Sequence, residues 1–179
     1  MKYRTIVADP PWEYNDGFAY LEQDGYRREE LPYPSMSIED ICALPVAELR
    51  PSYKEGAALF LWTTNLYLRD AFDVIDAWGF RYRQTITWHK SNAMPAGGSV
   101  APNAEFLLVA RYGQHRWHGA KWGRASFTAP AHEHSAKSEL FLDLIEQISP
   151  PPYLEMFARR NRIGWDTWGN EALDHGVAL

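Results

Sequence analysis

The sequence predicts a three-layer α/β domain built on a mostly parallel sheet. Short apolar runs at 3–8, 57–62 and 104–110 have the length of strands buried on both faces. Segments with helical spacing of apolar residues separate them, at 38–44, 66–78 and 138–148. The predicted strands end at chemistry-bearing residues, namely Asp9, Trp62, Trp88, Arg159 and Asn170. In open α/β sheets, ligands bind beyond such strand ends, at a topological switch point.

Taken in order, Thr5-Ile6-Val7-Ala8 closes the first strand, and Asp9-Pro10-Pro11-Trp12 follows it. Proline has no N–H and fixes φ, so the pair stops the sheet ladder. A carboxylate, a backbone carbonyl and a large aromatic are thereby held at a rigid tip. This set suits gripping an amino group on a flat ring. Residues 13–32 carry glycines, acids and Arg27-Arg28 without periodicity, and read as a loop over the tip. Pro32-Tyr33-Pro34 is a rigid turn. Ser37-Ile38-Glu39-Asp40 fits a capping box opening a short helix with Ile38, Ile41 and Leu44 on one face, interrupted by Pro45.

The buried run 57–62 is a second strand. Thr63-Thr64-Asn65 offers N-caps for an amphipathic helix over 66–78, stopped by Gly79. Residues 83–89 alternate as a strand, 91–103 read as a loop, and 104–110 is a further strand opened near the sheet rim by Glu105. Residues 111–137 read as one long loop. It holds Arg111, Arg116, Lys121, Arg124 and Lys137 against one acid, Glu133, interleaved with Tyr112, Trp117, Trp122 and Phe127. Cations among aromatics can track phosphates and stack on bases. The apolar stripe of 138–148 is a helix capped by Ser135 or Ser138. A lysine at its start, Lys137, opposes the helix dipole and points to an anionic partner such as a ligand carboxylate. After Ser149-Pro150-Pro151-Pro152 come a strand at 153–158, a polar turn at 159–162 and a last strand at 163–168.

The 179 residues suffice for one domain, 1–179, with 172–179 as a tail. A net charge of −5 argues against a general nucleic-acid coat, though not against a local basic groove. One cysteine, Cys42, excludes an intrachain disulfide and a cysteine-based zinc site. His115, His118, His132 and His134 match no zinc spacing, so no metal is expected. No stretch reads as a leader or membrane span, which gives the expectation of a soluble, cytoplasmic protein with no membrane partner.

At this point the motifs resemble a known family. Asp9-Pro10-Pro11-Trp12 is similar to the signature of the MT-A70 family of S-adenosylmethionine-dependent adenine-N6 methyltransferases. Leu31-Pro32-Tyr33 with Met36-Ser37, Leu59-Phe60-Leu61-Trp62-Thr63 and Trp88-His89-Lys90-Ser91-Asn92 resemble its next segments. His134-Ser135-Ala136-Lys137, Leu154-Glu155-Met156-Phe157-Ala158-Arg159 and Gly164-Trp165-Asp166-Thr167-Trp168-Gly169-Asn170-Glu171 follow in the family's order. The resemblance spans residues 3 to 171. It departs from the family at Ser138, where proline is common, and in the two residues before Tyr3, which leave one wall of the adenosine pocket to another loop or a second subunit.

The resemblance implies a Rossmann-like class I fold in permuted order, with the catalytic strand first and the donor strand near the C-terminus. It implies that Asp9, Pro10, Pro11 and Trp12 bind the target amine. Lys137, Arg159, Asn161, Asn170 and Glu171 would surround S-adenosylmethionine, Lys137 at its carboxylate and Asn170 and Glu171 at its ribose. Trp12, with Tyr33 and Trp88, would stack on or wall the base. Arg111, Arg116, Lys121 and Arg124 would contact nucleic acid. The expected substrate is DNA rather than RNA, on family analogy for so compact a chain, and a homodimer or heterodimer fits the open pocket. The competing readings are a non-catalytic partner subunit, which the retained tip and donor motifs argue against, and a cytosine-N4 methyltransferase, which Asp9 argues against.

Overall fold

A computed structural model describes residues 1–13, 35–92, 103–119, 124–130 and 139–169. Its middle strands are β1 (Thr5–Ala8) and β2 (Ala57–Thr63), every residue of which is buried. Unbroken apolar runs of this kind need helices on both sheet faces, and the chain supplies them. The helices α1 (Ile38–Ala43) and α2 (Leu68–Ala77) cover one face. There Ile41, Ala71, Val74 and Ile75 pack on Ile6, Leu59, Leu61 and Leu154. The helix α3 (Glu139–Ile148) covers the other, setting Phe141, Leu142 and Ile145 on Val7, Phe60, Trp62 and Trp165.

The remaining strands are β3 (Arg81–Lys90), β4 (Ala104–Tyr112), β5 (Ser126–Ala129), β6 (Tyr153–Met156) and β7 (Trp165–Trp168). They form one sheet in the order β5-β3-β4-β2-β1-β6-β7. β1 is parallel to β2 on one side and to β6 on the other. The β6–β7 and β3–β5 pairs are parallel, whereas β4 runs antiparallel to both β2 and β3. β1 is therefore the strand from which the chain leaves to one side, through β2, and beside which it later returns through β6. That is a topological switch point.

Local chemistry explains the boundaries. Ser37 caps α1 as its sequence promises: its hydroxyl accepts the Asp40 N–H at 3.1 Å. Gly79 ends α2 with φ of +71°, a conformation that glycine adopts without strain. Trp78, fully buried, donates its indole N–H to the Ile41 carbonyl at 2.9 Å and ties α2 to α1.

Two elements differ from expectation. α2 starts at Leu68, not after Thr63-Thr64-Asn65, and Tyr67 stands at the cap position without a side-chain cap bond. Thr63 is still part of β2, and Tyr67 is committed to packing at the β1 tip. The stretch expected to be one loop contains β5, which among the described residues pairs with β3 alone. Its four residues alternate between exposed and half-buried, so they lack the apolar signal of a central strand. Tyr33, Lys121, Lys137, Asn170 and Glu171 lie outside the described residues, as do the Ser135 and Ser138 caps and most of the loops at 13–32 and 91–103.

Candidate active site

The register brings the ends of the parallel strands to one edge. Ala8 pairs with Leu61 and with Met156, and Met156 pairs with Trp168. Asp9, Phe157 and Gly169 therefore sit side by side just beyond the sheet, and the Asp9 N–H still reaches the Met156 carbonyl at 3.5 Å. The turn carrying Arg159 and Asn161 follows at once.

The tip is built as a rigid hook. The Trp12 N–H closes a three-residue turn onto the Pro10 carbonyl at 2.9 Å, and Met36 N–H bonds the Pro11 carbonyl at 2.9 Å. Trp12 itself is only 3% exposed. Its ring stacks on Tyr67 at 5.4 Å with an 11° interplanar angle, and its indole N–H reaches the Trp62 carbonyl at 3.3 Å. Tyr67 in turn donates its hydroxyl to the Glu13 carbonyl. This corrects the expectation for Trp12: the ring anchors the hook in the core and is not an open stacking platform. Asp9, at the start of the hook, is half-buried, and Pro10 is buried.

On the neighbouring strand, Phe157 has φ of +62°, a left-handed conformation uncommon outside glycine. Edge-to-face packing on Trp168 at 5.0 Å helps hold it there. Gly169 faces this turn so closely that a β-carbon would lie 2.6 Å from both the N and O of Ala158. Both contacts are backbone, so they cannot rotate away. Gly169→Ala is expected to push the two tips apart and to weaken donor binding at least tenfold while the sheet core survives. Calorimetric titration of the donor, beside circular dichroism, reads this.

Arg162 fixes the far side of the same turn. Its guanidinium reaches Glu139 at 2.5 Å, Asp143 at 2.5 Å and Glu146 at 2.9 Å, carboxylates spaced along α3. Arg160 adds a pair to Glu139 at 2.6 Å. Asn161 accepts the Thr167 hydroxyl at 3.1 Å. The turn that carries Arg159 and Asn161 is thus pinned to α3 and β7 before any ligand arrives.

Glu155 was not singled out from the sequence, and it is the most unusual group here. It pairs with Val7 on the α3 face, two residues below Asp9. One carboxyl oxygen, Oε2, is buried with no hydrogen-bond partner. Burial pushes its pKa up to about 7; Glu139 and Asp9 add to the shift, and Arg160 and Arg162 partly offset it. An isolated acid inside an apolar strand was the available sequence signal.

Other expected residues do not converge on the tip. Trp88 is fully buried between Trp62 and Phe141 and donates its indole N–H to the Ala129 carbonyl, so it offers no face to a base. Arg111 pairs with Ala58, at the level of Thr5, and so lies toward the opposite edge of the sheet. Arg116 follows Arg111 beyond the end of β4. The reason is the reversal of β4, which carries the chain away from the edge where Glu105 begins it. Arg124 is exposed before β5. Glu105 does lie at the tip edge, buried and paired with Lys90. Among the described residues no group of three His, Cys, Asp or Glu side chains could hold a metal, and no helix is long and apolar enough to cross a membrane.

The fold is that of the Rossmann-like methyltransferase class, and the carboxylate hook beside a tight, polar turn at its switch point is the candidate site. The MT-A70 family profile matches residues 3–171, and the chain belongs to this family of S-adenosylmethionine-dependent adenine-N6 methyltransferases. Among its relatives, the Type II methyltransferase M.MunI of a Mycoplasma species is 29% identical, over 99% of this chain and 81% of that protein. The N(6)-adenosine-methyltransferase MT-A70-like protein of Drosophila melanogaster is 26% identical over 95% of this chain and 27% of its own length. The N(6)-adenosine-methyltransferase catalytic subunit METTL3 of Homo sapiens is 23% identical over 95% and 28%. The chain thus spans about a quarter of these animal relatives.

Proposed function

We propose that this chain transfers a methyl group from S-adenosylmethionine to the N6 amine of adenine in a polynucleotide, with DNA preferred over RNA. The observation that carries the reading is the juxtaposition of the β1 and β6 tips, which sets the Asp9 carboxylate beside the Phe157-Ala158-Arg159 turn. The higher identity to a type II methyltransferase, 29% against 26% and 23% for the adenosine methyltransferases, supports the DNA preference.

The residues present fit the donor. Gly169 lets the β7 tip close tightly on the Ala158 backbone and so shapes the turn, and Glu155 offers a buried acceptor oxygen without a partner. Glu155 would face the donor's ammonium and Lys137 its carboxylate. Arg159 and Asn161 would flank it, with Asn170 and Glu171 at the ribose hydroxyls. In this arrangement the tip strand comes first in the chain and the donor strand late, the permuted order. When bound, S-adenosylmethionine supplies an electrophilic methyl on a sulfonium, so the chain's own task is positioning and electrostatics.

Adenine's exocyclic nitrogen is a weak nucleophile because its lone pair is delocalised into the ring. Asp9 accepts one of its N–H bonds. The Pro10 carbonyl, whose first lone pair takes the Trp12 N–H, accepts the other. These two acceptors favour a pyramidal nitrogen with a localised lone pair aimed at the methyl. After transfer the nitrogen is cationic, and Asp9 takes the proton. Tyr33 would wall the base. A base inside a duplex is out of reach of the tip, so it must be flipped or single-stranded.

Transfer of tritiated methyl from labelled donor to single- and double-stranded DNA and RNA tests the reading. Label is expected in DNA above RNA; label in RNA alone would reverse the preference, and label in neither would sink the function.

A further inference from the structure

The arginines displaced from the tip are not scattered. Arg81 on β3 stands directly opposite Arg111 on β4. Like charges at such positions destabilise a sheet. Arg83 lies at the register shift that follows, and Arg116 comes just after β4. Arg81, Arg83 and Arg116 are exposed and Arg111 is half-buried, whereas Arg124, beside the tip-level half of β3, lies apart from these four. The ion pairs of the described residues engage Lys90, Arg160 and Arg162 and none of these four.

Arg111 follows Leu107 and Val109 in alternation and so points to the α3 side, where Trp117 also sits, edge-on to Phe60 and 42% exposed. Between them His115 is buried with neither ring nitrogen bonded. Burial first, then Arg4, Arg111 and His118, lower its pKa to about 4, so the neighbourhood already repels one more cation. In a chain of net charge −5, this is a concentrated positive surface with an exposed indole in it.

We infer that the Arg81–Arg111 pair, with Arg83, Arg116 and Trp117, forms a second nucleic-acid contact surface, one that grips the substrate's phosphate backbone away from the methylated base. The inference rests on the polynucleotide substrate proposed above. From the Asp9 level to Arg111 is roughly 13 Å along the strands and 10 Å across two of them, about 16 Å in all. A backbone leaving the tip edge covers that within a few nucleotides. The two facing arginines, strained against each other in the free protein, are relieved when a phosphate lies between them.

The test is Arg81→Gln with Arg111→Gln in the full chain, read in three ways. Binding of a fluorescent DNA strand of about thirty nucleotides is expected to weaken at least tenfold, and the slope of log affinity against log salt to fall by about 1.4 to 1.8. Methyl transfer to a dinucleotide, too short to reach the pair, is expected to stay within twofold. Thermal stability at low salt is expected to hold or rise, because a like-charge pair is gone. Unchanged long-strand affinity and slope would overturn the inference and leave the arginines as guards of an exposed sheet edge. Equal losses on long and short strands would overturn it as well. Absence of transfer by the unmodified chain to either strand would instead overturn the substrate reading, and this surface with it.

Discussion

Asp9→Ala is expected to lower methyl transfer about a thousandfold while donor affinity stays within about threefold. The carboxylate is the hook's only charged acceptor, and the adenine amine has no usable lone pair until its N–H bonds are drawn out of the ring plane. The substitution leaves the scaffold in place. The Asp9 N–H to Met156 bond is backbone, and Trp12 remains stacked on Tyr67 and bonded to Trp62. Asp9→Asn keeps an acceptor oxygen without the charge and is expected to fall between the two, at about a hundredfold loss. Single-turnover rates with saturating donor, beside calorimetry, separate chemistry from binding. A turnover near wild type would remove Asp9 from the centre of the mechanism.

Glu155→Gln is expected to weaken donor binding at least tenfold at about pH 8, and its pH dependence carries the diagnosis. The folded pKa, about 7, lies above the ordinary carboxyl value of 4.5. Its neutral form therefore suits the free protein. The stability linked to that proton is whole below about pH 4.5 and is lost as pH rises through 7. The Gln variant does not titrate there, so it should gain on wild type between about pH 5 and 8, by up to about 3 kcal/mol. A facing ammonium reverses the preference, because it favours the carboxylate. Donor affinity of the wild type should then rise with pH across that window, and that of Glu155→Gln should be flat. Parallel pH profiles for the two proteins would contradict an ammonium at Glu155.

The sequence was legible where a local rule decides. The apolar runs at 3–8 and 57–62 read as buried strands and contain β1 and most of β2, Ser37 caps α1 as read, and Gly79 ends α2 where it was placed. What failed was decided by pairing between distant strands. The reversal of β4 carries Arg111 and Arg116 from the tip edge to the other one, and no local pattern records a strand's direction. Trp12 and Trp88 were credited with open faces because an aromatic at a strand end can be platform or anchor; burial against Tyr67 and Phe141 makes both anchors. Glu155, Phe157 and Gly169 escaped notice singly, since their meaning lies in the close approach of β6, β7 and β1.

These three strands make a single claim: that the β1 tip holds an adenine amine against a donor lodged at the β6 and β7 tips. Enzymatic digestion of DNA after incubation with the chain and labelled donor, followed by mass analysis of the nucleosides, tests it most directly. The expected product is N6-methyldeoxyadenosine, formed by the wild type and absent with Asp9→Ala. Label in N4-methyldeoxycytidine, or N6-methyldeoxyadenosine formed equally by Asp9→Ala, would contradict it.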